Sequence, residues 1–320
     1  MEPILYMAPL QGVTNHVYRN AYSKEFFGYD LAVAPFIRSC EIRKSTKNPL
    51  RDILPERNCD RLKLVPQVLS NDPRTFILIT QAIADLGYKT VNWNLGCPLS
   101  KIRNKKRGSG LLSEPEFIVD FLSQVVPRIP VSLSLKLRLG NETSNDILKL
   151  LPMIEGFALK EIIVHPRVGK EMYSYPADIE TFSRCLELTE HRLIYNGDIN
   201  SVETFNALNR RLNGVYGWMI GRGGIVNPFL PEEIKNLRVS TDNEKRHRFY
   251  SFLESVFLAY QQELSGPRHL MDKMKENWQW WSRAFVGGKQ LFYQVSRIRK
   301  PDKYRAMVDN FFQQSPKLLI

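Results

Sequence analysis

Short runs of hydrophobic residues recur along the first two thirds of the chain and predict eight β-strands. The runs are rich in Val, Ile, Leu and aromatic residues, and segments with helical spacing separate them. The predicted strands are Ile4–Met7, Leu31–Ala34, Leu62–Val68, Thr90–Leu95, Val131–Leu137, Glu161–His165, Arg192–Asn196 and Val215–Ile220. Eight strands that alternate with helices favour an α/β fold of the (β/α)8 TIM-barrel type over an open sheet. No Gly-x-Gly-x-x-Gly follows an early strand, which disfavours a Rossmann unit.

The last part of the chain has a helical pattern throughout. The predicted helices are Arg246–Leu264, His269–Phe285, Gly288–Ile298 and Lys303–Phe312, after a polar break at residues 239–243. In the second of them Leu270, Met274, Trp278 and Trp281 fall on one face, which predicts the core of a small bundle. We therefore predict a barrel domain of residues 1–238 and an all-α helical-bundle domain of residues 239–320.

Seven of the predicted strands have polar, glycine and neighbouring residues at their carboxyl ends. Since barrel active sites lie at the carboxyl ends of the strands, these residues are expected to meet at one rim. They are Pro9 and Leu10, Gln67, Asn94 and Cys97, Lys136 and Arg138, His165 and Arg167, Asn196, Gly197 and Asp198, and Gly221 and Arg222. Each alone is consistent with a cap or a turn, whereas their convergence indicates a site.

The segment Thr90–Leu112 contains the most distinctive chemistry. A buried strand ends at Gly96-Cys97-Pro98, and a basic loop with Lys101 and Arg103 leads to Gly108-Ser109-Gly110. A thiol on a rigid turn beside positive charge suggests chemistry on an anionic substrate. The alternative is a small buried hydrophobic side chain followed by a solvated loop.

This segment resembles the signature of the tRNA-dihydrouridine synthases, of the bacterial type and nearest the branch called DusC. The matching residues are Asn94-Leu95-Gly96-Cys97-Pro98, Lys101 and the Gly-Ser-Gly-Leu-Leu run, and further matches extend over nearly the whole chain. The resemblance implies reduction of uridine to 5,6-dihydrouridine in the D-loop of tRNA, with bound FMN and NADPH as electron donor. Cys97 would be the general acid at uracil C5, supported by Asn94, Lys101, His165 and Arg167.

The resemblance also implies a set of FMN contacts. They are Pro9, Leu10, Gln67, Asn94, Lys136, His165, Asn196, Gly197, Asp198, Gly221 and Arg222. The residue chemistry agrees, because glycine loops after the last two strands suit a phosphate and Arg222 can pair with it bidentately. Gln67 offers a donor and an acceptor to the pyrimidine edge of a flavin, and Lys136 suits negative charge at its N1/O2 side.

The charge balance favours a polyanionic partner. Net charge is +12, and residues 242–320 contribute seven Lys and seven Arg against eight acidic residues. A soluble enzyme that happens to be basic is the alternative. The predicted tRNA contacts are Lys105, Lys106, Arg107, Arg268, Lys275, Arg297 and Arg299. No DNA or membrane partner and no metal is expected, and we expect a monomer.

The four cysteines, Cys40, Cys59, Cys97 and Cys185, lie far apart without Cys-x-x-Cys spacing. This spacing argues against a zinc site and for reduced thiols in a cytoplasm.

The loop His165–Tyr173 departs from the family pattern after both the His and the Arg, which leaves the target uridine undetermined.

Three other interpretations of the sequence remain open. The first is a flavin-dependent reductase of small molecules that resembles the dihydroorotate dehydrogenases, although such an enzyme needs no basic helical domain. A synthase acting on rRNA would share every motif. A non-catalytic RNA-binding barrel would not need Cys97 or the phosphate loops, and a colourless purified protein would favour it.

Overall fold

The computed structural model describes residues 2–38, 48–238 and 240–320, so that Cys40 and Val239 lie outside the described residues. Its strands all run parallel in one sheet. They are β1 (Leu5–Met7), β2 (Leu31–Val33), β3 (Ile37–Arg38), β4 (Lys63–Val65), β5 (Gln67–Leu69), β6 (Thr90–Leu95), β7 (Ser132–Gly140), β8 (Leu159–Val168), β9 (Leu193–Tyr195) and β10 (Gly217–Ile220). The barrel helices are α1 (His16–Glu25), α2 (Pro73–Asp85), α3 (Ser100–Arg103), α4 (Pro115–Val125), α5 (Asn145–Ile154), α6 (Ile179–Glu187), α7 (Val202–Arg211), α8 (Arg222–Val226) and α9 (Leu230–Ile234).

Two prolines interrupt the sheet, one just after the predicted second strand and one inside the predicted third strand. The second strand continues past Pro35 as β3, and the third is interrupted at Pro66 between β4 and β5. Proline has no N–H to donate to the ladder, so each pairing breaks there and resumes one step further on. Ala34 N–H donates to Val65 O (2.9 Å), and Asn92 N–H donates to Pro66 O (2.8 Å), which keeps the interrupted strands in register.

The sheet closes on itself. Its hydrogen-bonded order is β3-β5-β6-β7-β8-β9-β10-β1-β2-β4, and β4 at one end runs directly into β5 near the other. The eight strands of the sequence pattern therefore form a (β/α)8 barrel with the helices outside, which confirms the predicted fold class. The hydrophobic core between sheet and helices contains Trp93 stacked on Phe121, with Phe76 edge-to-face against both.

Two strands extend further than the sequence pattern predicted. β7 continues to Gly140 and β8 to Val168, because the ladder goes on through Arg138 paired with His165 and Gly140 paired with Val168. Arg138 and Arg167, which lie beyond the predicted strands, are thus strand residues, and His165 lies within β8 rather than at its end. Side chains alternate between the two faces of a strand, so Arg138 shares a face with Lys136, and Arg167 shares a face with His165. This face is directed toward the barrel mouth.

The remaining helices form a bundle against the barrel. They are α10 (Asp242–Glu263), α11 (Gly266–Trp281), α12 (Gly288–Arg297) and α13 (Pro301–Gln313). The predicted face of α11 is buried at all four positions, Leu270, Met274, Trp278 and Trp281. The predicted break at residues 239–243 is short, since Thr241 caps α10 through its side chain and Glu244 completes a capping box.

The bundle shares its hydrophobic core with α1, whose Tyr18 and Tyr22 belong to the same cluster as Phe252. A buried ion pair between Glu232 of α9 and Arg248 of α10 adds a polar link, with Arg248 Nη1 at 3.1 Å from Glu232 Oε2. The division into domains at residue 238 stays a prediction, and the packing joins the two parts closely. Within the described ranges no helix is both long and apolar enough to cross a membrane.

Candidate active site

Cys97 lies on the turn after β6, at the carboxyl end of the barrel. Its side chain joins a small apolar cluster with Phe36, Leu69 and Ile102, and the residue is 8% exposed. Burial raises the pKa of the thiol, while the Leu99 N–H and two nearby arginines act in the opposite direction. The net direction is upward, so the thiol is protonated at neutral pH and able to donate a proton.

The backbone of Cys97 is held from both sides. Its N–H donates to Asn94 Oδ1 (2.9 Å), and its carbonyl accepts from both the N–H and the Oγ–H of Ser109 (3.1 Å each). Gly108, with φ of +56°, lies so close that a Cβ there would stand 2.7 Å from Cys97 O. The Gly-Ser-Gly run therefore clamps the cysteine turn and requires glycine to do so.

A chain of side-chain amides links the cysteine turn to the barrel interior. Asn94 Nδ2 donates to Gln67 Oε1, Gln67 Nε2 donates to Asn92 Oδ1, and Asn92 Nδ2 donates to Ser134 Oγ, each at 2.8 Å. All four side chains are buried. Gln67 was predicted to contact a flavin, and it keeps one lone pair and one N–H for such a contact.

Beside the cysteine turn, a pocket opens at the same rim and contains about 630 Å³ of space, part of it open to solvent. Eight of the predicted cofactor residues line it. They are Pro9, Leu10, Lys136, His165, Asn196, Asp198, Gly221 and Arg222. Gly96, next to Cys97, is also in the lining, whereas the predicted cofactor residues Gln67, Asn94 and Gly197 are not part of it. The combination of apolar side chains with a few converging polar groups is typical of a small-molecule site.

Lys136 is the central cation of the pocket wall. Its Nζ donates to Asn196 Oδ1 (2.7 Å), and Asn196 Nδ2 donates to Met219 O (2.8 Å), so the amide orientation is fixed from two strands. Burial, assisted by the neighbouring Arg138, lowers the pKa of Lys136 to about 7. An anion bound beside it would favour the charged form.

His165 is neutral and has a defined tautomer. Its Nδ1 lies 2.5 Å from the carbonyl oxygen of Asn196, which only accepts, so Nδ1 carries the proton. Burial and the charges of Arg138 and Lys136 lower the pKa of His165 well below its ordinary value. Its Nε2 accepts from Arg167 Nη1 at 3.3 Å.

Arg167 organises the loops around the pocket. Its guanidinium is almost fully buried, donates to Asp198 Oδ2 (2.5 Å) and also bonds the carbonyl of Tyr175. Asp198 in turn accepts from Arg222 Nη2 (3.2 Å). Arg222 also lies over the ring of Tyr173, with its Cζ 4.4 Å from the centroid. The predicted supporting role of Arg167 stays a prediction, and its contacts are those of a residue that positions others.

The loops after β9 and β10 meet backbone to backbone. A Cβ on Gly223 would stand 2.1 Å from the carbonyl oxygen of Ile199, so only glycine permits this approach. Gly221 and Arg222 form the pocket edge there, next to Asp198. This edge brings glycine backbone and an arginine to the pocket, a combination that suits a phosphate group.

The basic loop after Cys97 divides into paired and exposed residues. Lys105 is exposed, Lys106 pairs with Glu114 (2.8 Å), and Arg107 Nε donates to Asn71 Oδ1 (2.8 Å). Surface pairs of this kind contribute little to stability, so their basic side chains can readily exchange the present partner for a phosphate.

The two basic residues that follow Cys97 most closely in the sequence differ in their contacts. Lys101 is exposed, whereas Arg103 donates to Asn141 Oδ1 and to Glu142 Oε1, each at 2.7 Å. Arg103 therefore ties the loops after β6 and β7 together.

The predicted RNA-contacting residues of the bundle lie on its surface. Arg268, Arg297 and Arg299 are exposed, and Lys275 is half-buried beside Asp272 (3.7 Å). Arg297 stacks on Tyr293, with Cζ 3.8 Å from the ring centroid.

Two residues of the pocket wall had no role assigned to them from the sequence. Arg138, expected only to lie at the rim, lines the pocket, donates to Gly96 O (3.1 Å) and to Val168 O (2.9 Å), and lies over the ring of Tyr173. The alternation of β7 could have indicated a role, since Arg138 stands two residues after Lys136 on the same face. Tyr173 lies in an irregular loop without any periodicity, so no sequence pattern indicated it.

Comparison with protein families bears directly on this site. The family model described as dihydrouridine synthase (Dus) matches residues 6–316, which is nearly the whole chain. The chain is 26% identical to tRNA-dihydrouridine synthase B of Pseudomonas aeruginosa, over 97% of this chain and 93% of that protein. It is 25% identical to tRNA-dihydrouridine(16) synthase of Pseudomonas putida, over 91% and 92%. These two similarities are nearly equal, so the branch within the family stays a prediction.

Two solved structures of distantly similar proteins have the same fold. Histamine dehydrogenase from Rhizobium sp. 4-9 superposes with a TM-score of 0.56 at 12% identity, over 78% of this chain and 48% of that one. The old yellow enzyme from Trypanosoma cruzi gives a TM-score of 0.50 at 11% identity, over 74% and 89%. At these identities the likeness shows the barrel fold alone. Fold, cysteine turn and whole-length family match agree, and the chain belongs to the dihydrouridine synthase family of flavin-dependent oxidoreductases.

Proposed function

We propose that this protein reduces specific uridines of tRNA to 5,6-dihydrouridine, with FMN as the bound flavin and NADPH as the electron donor. The observation that carries the proposal is the Cys97 thiol, held protonated by burial on a turn whose N–H and C=O are both fixed. A thiol on such a fixed turn can act as a general acid from a defined position. It stands at the rim of a pocket whose walls are cationic.

The pocket residues fit a flavin mononucleotide. Arg222, Gly221 and the close approach at Gly223 suit the phosphate, since they offer a guanidinium and backbone at one edge. Lys136 suits the electron-rich side of the ring system, because a pKa of about 7 lets it respond to nearby negative charge. Bound flavin would supply the hydride that the uracil receives at C6.

The protein itself would supply the proton. Cys97 donates to uracil C5 and becomes a thiolate, and Arg138 and Arg38 both favour that anion electrostatically. Solvent then returns the proton to the thiol. A positioned general acid contributes about 10²–10⁴-fold to a rate.

The uracil would lie between the flavin and Cys97, where Arg138 and Tyr173 complete the wall. Arg138 offers donors to carbonyl oxygens, and neutral His165 adds no competing charge. A uridine inside folded RNA reaches this depth only after leaving its stack, so extrusion of the nucleotide is part of the proposal.

The relatives act on tRNA according to their names, and the surface charge of this chain suits the same substrate. Lys101 and Lys105 are exposed in the loop that follows Cys97, and Arg297 and Arg299 are exposed on the bundle. A small-molecule reductase would share the pocket but would not need these surfaces. We infer from the same surfaces that the bundle presents folded tRNA to the barrel.

The decisive experiment measures dihydrouridine in RNA. Purified protein, NADPH and unmodified tRNA are incubated without oxygen, and the product is mapped by mass spectrometry. Parallel reactions contain rRNA fragments, free uridine or dihydroorotate-like pyrimidines, and NADH replaces NADPH in another. Dihydrouridine formed in tRNA alone supports the proposal. Product in rRNA alone, or reduction of the free pyrimidines alone, would overturn it.

A further inference from the structure

The rim around the pocket carries an unusual group of exposed apolar side chains. Leu99, Met172, Tyr173 and Tyr175 are all exposed large hydrophobic residues, and three of them belong to the segment 169–177, which we call the β8 loop. Tyr173 lines the pocket itself, whereas Tyr175, at 62% exposed, projects into solvent. Exposed apolar groups gathered at a pocket mouth are typical of a contact surface.

The β8 loop is held firmly where it begins. Val168 N–H donates to Glu171 Oε2 (2.9 Å), and Val168 O accepts from Arg138 Nη1 (2.9 Å). Lys170 N–H donates to Asn141 O (3.1 Å) in the neighbouring loop. A Cβ on Gly169 would stand 2.5 Å from Ser109 Oγ, so the start of the loop lies directly on the Cys97 clamp.

The loop is held equally firmly where it ends. The buried Arg167 bonds the carbonyl of Tyr175, and Ala177 N–H donates to Asp198 Oδ2 (3.1 Å). Asp198 is also the partner of Arg222 at the predicted phosphate edge. The backbone under Tyr175 is therefore fixed by the same residues that shape the cofactor pocket.

The top of the loop is strained. Met172 has φ of 54° and ψ of −98°, a combination that L-residues rarely adopt. Strain of this kind persists where the surrounding contacts over-determine the backbone, and it collects at functional loops. The strained Met172 lies between the helical turn Gly169–Glu171 and the two tyrosines that come after it, Tyr173 and Tyr175.

Tyr173 and Tyr175 have different surroundings. Tyr173 lies against Arg138, Arg222 and His165, with the His165 ring centroid 5.7 Å away. Among the residues that the structure describes, no ring or cation stacks on Tyr175. The backbone that bears Tyr175 is thus fixed, and its large aromatic ring is left open beside the pocket.

We propose that Tyr175 is the stacking platform for the base that neighbours the extruded uridine. The inference rests on the proposed function and adds a substrate contact to it. When one nucleotide leaves its stack, its neighbour loses a stacking partner and exposes a face. A tyrosine whose backbone is anchored at the mouth replaces that partner. The exposed Lys170, which pairs with Glu142 (3.6 Å), belongs to the same loop, and the exposed Lys101 belongs to the loop after Cys97. Stacking accepts any base, so the platform contributes affinity and register.

The test compares Tyr175→Ala with Tyr175→Phe and Tyr175→Trp. The alanine variant should raise KM for tRNA roughly 5- to 150-fold, the usual effect of removing one aromatic stacking partner. The phenylalanine and tryptophan variants should stay near wild type. FMN content and NADPH oxidation without RNA should not change in any variant. Tyr216→Ala, an exposed tyrosine just before β10 at the opposite end of the barrel, is the matched control.

A second measurement makes the assignment specific to one base. The uridine that wild-type enzyme reduces is mapped first, and tRNAs are then made with an abasic nucleotide on either side of it. One of them should lose affinity for wild-type protein, and Tyr175→Ala should lose no more on that same tRNA. Additive losses on both substrates, or an equal loss in Tyr175→Phe, would overturn the platform. Failure of the wild type to form dihydrouridine in tRNA would instead count against the proposed function.

Discussion

Asn94 Oδ1 accepts two backbone hydrogen bonds at the reacting end of the barrel, from Cys97 N–H at 2.9 Å and from Gly96 N–H at 3.2 Å. Its own Nδ2 is committed to Gln67 Oε1. The direction of the cysteine turn is therefore set by a side chain that the barrel interior holds in one orientation. The placement of the thiol thus depends on a buried polar network that includes Gln67, a predicted flavin contact.

Replacement of Asn94 tests this network. Asn94→Ala leaves the buried Cys97 N–H and the partly buried Gly96 N–H without an acceptor, and the buried group alone costs about 1–3 kcal/mol. We expect a lower Tm and a loss of uridine reduction that exceeds the loss of FMN binding. Asn145→Ala, an exposed asparagine at the start of α5, is the control. Unchanged turnover in Asn94→Ala would show that the turn is held without this side chain.

Lys136 gives the flavin-free protein a defined pH dependence. Its folded-state pKa is about 7, against an ordinary value of 10.5, because burial and Arg138 disfavour the charge. Between these two pH values the unfolded chain binds more protons than the folded one, so the free energy of unfolding rises with pH. Below about pH 7 both states are charged and this contribution is constant.

Melting temperatures at about pH 7 and pH 9.5 check this dependence. Lys136→Met should remove part of the rise in Tm that the wild type shows, since it removes the titrating group. Lys160→Met, on the exposed start of β8, should keep the full rise. Identical pH profiles for wild type and Lys136→Met would contradict the assignment.

The phosphate edge makes a prediction about cofactor affinity. Arg222→Ala removes a charged hydrogen bond that contributes about 1.5–3 kcal/mol, so the Kd for FMN should rise roughly 10- to 150-fold. Arg211→Ala, an exposed arginine paired with Glu180 on the outside of the barrel, is the control. Fluorescence titration of flavin-free protein measures both. Equal affinities in the two variants would remove Arg222 from the phosphate site.

The bundle surface makes a prediction about salt. Charge reversal at Arg297 and Arg299 should weaken tRNA binding and reduce the salt slope, by roughly 0.7–0.9 log units per lost phosphate contact for each tenfold rise in salt. Flavin content and NADPH oxidation without RNA should stay unchanged. Filter binding across a salt series gives the slope. An unchanged slope would leave only the barrel rim as the RNA-binding surface.

Sequence patterns predicted the barrel and most of the pocket lining for a physical reason. Strand periodicity and chain order decide which residues reach the carboxyl rim, so the sequence alone places Lys136, Asn196 and Arg222 together. Even the interruptions at Pro35 and Pro66 follow from the missing N–H, although the predicted strands did not allow for them.

What the sequence could not show are contacts between loops. The Gly108-Ser109-Gly110 run looks like part of a basic surface loop, and only its closeness to Cys97 O reveals a clamp. Likewise Tyr173 and Tyr175 follow no period, and their positions depend on Arg167 and Asp198, which come from other parts of the site. Such contacts depend on tertiary geometry rather than on local preference.

The central claim, that Cys97 donates the proton to uracil C5, has a direct test. Protein whose flavin has been reduced with NADPH in the absence of oxygen is mixed with unmodified tRNA, and dihydrouridine formation is timed in a single turnover. Cys97→Ala should bind FMN and tRNA normally but form product about 10²–10⁴-fold more slowly. Cys185→Ala, a buried cysteine on α6 away from the site, should react at the wild-type rate. Product formation by Cys97→Ala at near the wild-type rate would contradict the account.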